Sequence, residues 1–108
     1  MEKMLGKISN AHFGFEADRP FLFGLELSFM GDGWGTISPA YMVNMGENCK
    51  WSSPLERQRV VTENMDKIRE IMKKAKITDI KDLKGIPVEV TFNDNGYFES
   101  FRVLEEVL

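Results

Sequence analysis

One segment of this chain has helical periodicity, and it lies between segments with strand periodicity. From residue 54 to about Lys76, the apolar residues Val61, Met65, Ile68, Met72 and Ala75 step by 4, 3, 4 and 3. Val60 and Ile71 widen the stripe. Its start is well marked. Ser53 can cap, Pro54 suits the first helical position, and Glu56 completes a capping box. Lys73, Lys74 and Lys76 fall in the last turn, where positive charge suits the helix dipole. Such a helix spans roughly 34 Å. With no second helix of comparable length to pack against, its apolar stripe requires a sheet.

The flanking segments supply that sheet. Met4 to Glu16 mixes apolar residues with Gly6 and Gly14, which predicts a strand with a kink or bulge. Asp18-Arg19-Pro20 reads as a turn. Phe21 to Met30 alternates cleanly, with Phe21, Phe23, Leu25, Leu27 and Phe29 on one face. Gly31-Asp32-Gly33-Trp34-Gly35 predicts a hairpin turn into a short strand through Thr36-Ile37-Ser38, ended by Pro39. Ala40 to Lys50 reads as a short irregular or strand segment, and Thr78 to Lys84 as one short turn. Ile86 to Phe92 alternates again, Asn93-Asp94-Asn95-Gly96 is a hairpin turn, and Tyr97 to Leu108 returns as the last strand. Its tail, Leu104 to Leu108, is expected to pair at an edge or with a second chain. The fold class is therefore α+β: an antiparallel sheet of about four to five strands, with one long amphipathic helix packed on one face.

The chain has 108 residues, 43% hydrophobic and 29% charged, which suits a single domain spanning 1–108. A net charge of −3 argues against a long nucleic-acid partner. No run of 18 apolar residues and no signal core are present, so no membrane partner and a cytoplasmic location are expected. One histidine, His12, and one cysteine, Cys49, leave few parts for acid–base or thiol catalysis and none for a Cys/His zinc site. No catalytic residue, metal or cofactor is assigned.

The eight Phe, two Trp and two Tyr exceed what a small core needs, so some should lie in a pocket or interface. Trp34, held between Gly33 and Gly35, and Trp51, beside Ser52 and Ser53 at the helix start, are candidates for stacking on a base. The free N–H groups of the helix start, with Arg57 one turn on and Arg19 in another loop, suit phosphate. The ligand-binding set is Arg19, Trp34, Gly35, Trp51, Ser52, Ser53 and Arg57.

Several segments in order carry a resemblance. They are Gly6-Lys7-Ile8, Phe13-Gly14-Phe15, Gly24-Leu25, Gly33-Trp34-Gly35, Cys49-Lys50-Trp51, the stretch from Leu83 to Val90 (LKGIPVEV), and the tail from Phe101 to Leu108. Together they resemble a family of small phage and prophage proteins with no catalytic residue to carry over. That setting implies an anti-defence protein in the host cytosol, of the type that sequesters a small cyclic nucleotide immune signal. The expected function is capture of such a nucleotide ligand without catalysis, by a homo-oligomer that encloses it between subunits. The alternative is a protein-interaction module that inhibits a host protein or serves in the phage particle.

Overall fold

The structure is a computed structural model that describes residues 1–108, apart from the side chains of Pro39 and Ala40. Five strands form one antiparallel sheet: β1 (Glu2–Phe15), β2 (Leu22–Gly31), β3 (Trp34–Asn44), β4 (Pro87–Phe92) and β5 (Phe98–Val103). One long helix, α1 (Pro54–Ala75), connects β3 to β4, followed by a single helical turn over Ile80–Leu83. The sheet order is β3-β2-β1-β4-β5. This is the α+β architecture expected from the sequence.

The 14 residues of β1 serve two partners. Its first half pairs with β4, from Glu2 opposite Phe92 to Lys7 opposite Pro87. Its second half pairs with β2, from Lys7 opposite Met30 to Phe15 opposite Phe23. The strands at the two ends of the order, β3 and β5, come back into contact, so the sheet curls into a partly open barrel. Around that barrel the strands run β1-β2-β3-β5-β4, with the helix between β3 and β4.

Alternation along a strand puts every second side chain inside, and one extra residue reverses the phase. Register shifts do this on three strands. In β1, Ile8 faces Phe29 and Asn10 faces Ser28, so Ser9 is the extra residue. Met4, Gly6 and Ile8 therefore share a face with Ala11, Phe13 and Phe15. In β3, Ser38 pairs with Leu27 and Tyr41 with Leu25, which places one extra residue between them. In β5, Phe98 and Ser100 oppose the adjacent residues Phe92 and Thr91, so Glu99 is extra. Each shift returns an aromatic or aliphatic residue to the inner face: Phe13, Tyr41 and Phe98.

That face holds the core. Ile8, Leu25, Leu27, Phe29, Val88, Val90 and Val103 pack with Ile68, Ile71 and Ala75 of α1 and Leu83 of the helical turn. Phe29 stacks on Phe98 at 5.6 Å and meets Phe101 at 4.8 Å, joining β2 to β5 across the barrel. Asn64 of α1 donates through Nδ2 to the Tyr41 carbonyl at 3.0 Å, tying the helix to β3.

Three local expectations are corrected. Pro39 does not end a strand, because β3 continues to Asn44 and absorbs one residue in its register shift. The last strand stops at Val103, and Glu105–Val107 forms a short 3-10 turn. It turns there because Leu104 N–H bonds to the Pro87 carbonyl at 3.0 Å, while Arg102 holds Glu106 at 3.1 Å. The helix stripe also differs in one residue. Met65 is 50% exposed, and Asn64 takes the inward position beside Tyr41.

This packing predicts a sharp contrast in urea unfolding. Leu27→Ala, at a fully buried site, is expected to cost about 2–5 kcal/mol. Met65→Ala is expected to stay within about 0.5 kcal/mol of the parent.

Candidate functional site

Trp34 begins β3, and its indole lies across two glycines. A Cβ at Gly6 would come within 2.7 Å of Trp34 Cζ2, and one at Gly31 would collide with Trp34 Nε1. Trp34 also meets Phe92 edge to face at 5.5 Å. The ring is therefore fixed from below by backbone and from one side by Phe92, and it remains partly exposed. It is at once a core contact and a wall.

The wall belongs to a cleft of about 580 Å³. Met1, Glu2, Met4, Trp34, Gly35, Phe92, Asn93, Asp94 and Gly96 line it. They come from the start of β1, the β2–β3 turn and the β4–β5 hairpin. That hairpin is held by Asn93, whose Oδ1 accepts from the N–H groups of Asn95 at 2.9 Å and Tyr97 at 3.1 Å. The side chains offer Trp34, Phe92 and two methionines for apolar contact, and Glu2 and Asp94 as acceptors. Met1 N donates to Asp94 at 2.7 Å. No lysine or arginine lines the cleft.

The other predicted site residues lie elsewhere. Trp51 and Arg57 line a niche of about 230 Å³ with Met45, Gly46, Glu47 and Cys49, near the far end of β3. β3 starts at Trp34 and ends at Asn44, so the niche and the Trp34 cleft lie at opposite ends of that strand. Ser53 caps α1, its Oγ accepting from Glu56 N at 3.1 Å, and Ser52 precedes it at the surface. Arg19 sits in the β1–β2 loop, where its Nε donates to Glu16 at 2.9 Å. It borders a third hollow with Leu22, Glu26, Ile37 and Met42. One chain thus brings Trp34 to Gly35, and Trp51 to Arg57, but does not bring those pairs or Arg19 together.

The arginines explain part of this. Arg59 bridges Glu56 at 2.6 Å and Glu63 at 2.9 Å. These bonds hold the Glu56 carboxyl below its ordinary range, the Arg59 hydrogen bond being the largest cause. Arg102 is held by Glu89 at 3.2 Å and Glu106 at 3.1 Å. Arg57 instead leans on Met45, with Nη2 4.0 Å from Sδ. Inside the barrel, burial raises the Tyr41 phenol above its ordinary range, and the Ser38 hydroxyl offsets part of the effect.

Two features of this surface escaped the sequence reading. The Trp34 cleft is completed by Glu2, Met4, Phe92 and Asp94, which local periodicity cannot connect to residue 34. The signal that was available lay in Gly6 and Gly31, glycines within strand patterns, which mark close approach of another group. The second feature is an aromatic cluster at the far end of β1. Phe23 meets Phe13 at 5.3 Å and Phe15 at 5.0 Å, both edge to face.

Among the described residues, no group of three or more His, Cys, Asp or Glu is placed to hold a metal ion. Among the described residues, no helix is long and apolar enough to cross a membrane. Comparison with protein-family models, curated proteins and solved structures gives no match in any of the three.

The seat of Trp34 makes Gly31→Ala informative. The added methyl is expected to lift the indole, cost about 1–3 kcal/mol and shift tryptophan emission to the red. Unchanged emission and an unchanged unfolding midpoint would show that the indole does not rest on Gly31.

Proposed function

We propose that this chain works by capture without turnover, holding a small ligand by a planar heteroaromatic group in the Trp34 cleft. The observation that carries this reading is the fixed, partly exposed indole in the wall of the cleft. A volume of about 580 Å³ falls in the range of small-molecule sites. The rigid seat lowers the ordering cost of stacking, because the ring does not have to be immobilised on binding. Glu2 and Asp94 accept hydrogen bonds, so they favour a base edge that presents amino or ring N–H groups.

The ligand class remains the one anticipated from the sequence, a nucleotide signal of the kind a phage anti-defence protein would withhold. The cleft changes how it is held. With Glu2 and Asp94 in the lining, no lysine or arginine there, and the Met1 ammonium already paired with Asp94 at 2.7 Å, the base enters and the phosphates point away. Phosphate contact with Arg57 or the Ser52–Ser53 helix start would have to come from another copy of the chain.

Calorimetric titration against a panel of nucleosides and cyclic nucleotides tests the reading. Heat is expected for at least one base, and the ligand should be recovered unchanged by mass spectrometry. Trp34→Phe keeps contact with the two glycines and narrows the stacking face, so it should weaken binding several-fold. Trp51→Phe should leave it unaltered. Silence across the whole panel, or recovery of an altered ligand, would contradict the proposal.

A further inference from the structure

The polar groups around the Trp34 indole differ in what they still have to offer. Glu2 and Asp94 both line the cleft. Asp94, in the β4–β5 hairpin, already holds the Met1 ammonium at 2.7 Å, which leaves Glu2 as the lining carboxylate without a cation beside it among the described residues. Glu2 opens β1 directly across from Phe92. Alternation along the strand puts it on the same face as Met4 and Gly6. The indole lies across Gly6, and Phe92 flanks it at 5.5 Å. The Glu2 carboxylate is therefore placed at the rim of the stacking surface, beside the edge of a base laid on the indole.

Asn93, the residue after Phe92, lines the cleft as well. Its side-chain oxygen is committed to the hairpin, where it accepts from the N–H groups of Asn95 at 2.9 Å and Tyr97 at 3.1 Å. Two converging backbone donors can be met only by the oxygen of a carboxamide, so the orientation of the group is decided. The carboxamide is planar, and fixing Oδ1 turns Nδ2 away from those two amides. The rim thus presents the two acceptor oxygens of Glu2 next to one oriented amide donor.

We propose that the cleft selects guanine, with N1–H and the 2-amino group donating to Glu2 and O6 accepting from Asn93. The proposal rests on the reading of the Trp34 cleft as a base site, and it names the base. Stacking on an indole is tolerant of base identity, so selection falls to the groups at the rim. A carboxylate has two acceptor oxygens and no donor. Two adjacent N–H groups match it, as in bidentate charge-assisted pairs. Among the common bases only guanine offers them, with an acceptor next on the same edge. Adenine and cytosine set a ring-nitrogen lone pair beside their amino group. Uracil and thymine flank their single N–H with carbonyls. Each of these turns an acceptor towards Glu2. A site built around hydrogen bonds rejects a ligand that leaves them unmade.

Calorimetric titration of the full chain with guanosine, inosine, adenosine, cytidine and uridine tests it. Inosine keeps N1–H and O6 and lacks only the 2-amino group. Guanosine should bind about tenfold or more tightly than adenosine, cytidine or uridine, with inosine between. Glu2→Gln offers one acceptor where the carboxylate offers two, so it should cancel the advantage of guanosine over inosine with tryptophan emission unchanged. Asn93→Asp keeps the oxygen that holds the hairpin and removes the Nδ2 donor, so it should weaken guanosine and inosine alike. Another nucleoside bound as tightly as guanosine would overturn the proposal and leave capture at Trp34 standing. A preference for guanosine over inosine that survives Glu2→Gln in full would overturn it too. No heat from any nucleoside would remove the base site itself, and this proposal with it.

Discussion

The structure depends on one strand being shared. The first half of β1 bonds to β4 and its second half to β2, so the β2–β3 and β4–β5 hairpins meet only through it within the hydrogen-bonded sheet. Neither hairpin alone has enough apolar surface to be stable in water. Joined on β1, their inner faces curl towards each other until Phe29 of β2 stacks on Phe98 of β5. The helix then lays Ile68, Ile71 and Ala75 into the same core. A long strand with two partners must bend, and the extra residue at Ser9 lies where the partners change over.

That bend also shapes the surface. At the start of β1, Gly6 lets the Trp34 indole settle across the strand, which builds the cleft. At its end, the strand passes beyond the reach of β4 and leaves an edge with exposed phenylalanines. The two surfaces have different chemistry. One has a rigid aromatic wall with carboxylates and suits a small polar heterocycle. The other is an uncharged stretch of strand flanked by the partly exposed rings of Phe13 and Phe15.

Features set by local chemistry were legible in the sequence. The capping box at Ser53, the proline at the first helical position and the lysines of the last turn mark α1 to within one residue of its observed end. The alternation from Phe21 to Met30 marks β2, and the glycines of Met4 to Glu16 announce a bulge. Features set by long-range geometry were not. Nothing near Pro39 shows that β3 will continue past it, because the register shift depends on Leu25 and Leu27 of another strand. Met65 fits the helical stripe as well as Ile68 does. Only the placement of Tyr41 shows that Asn64 turns inward instead. The predicted site residues share aromatic and cationic chemistry, but spacing along the chain could not show that β3 separates Trp34 from Trp51. Nor could it show that Glu16 already holds Arg19.

The claim that β1 couples the two hairpins into one cooperative unit is tested most directly by native-state amide exchange. The slowest amides of β2 (Leu25, Leu27, Phe29) and of β4 (Val88, Val90) should exchange with one shared free energy. That value should equal the free energy of global unfolding. If one hairpin opens several kcal/mol below the other, the shared strand does not bind them into one core, and the account is wrong.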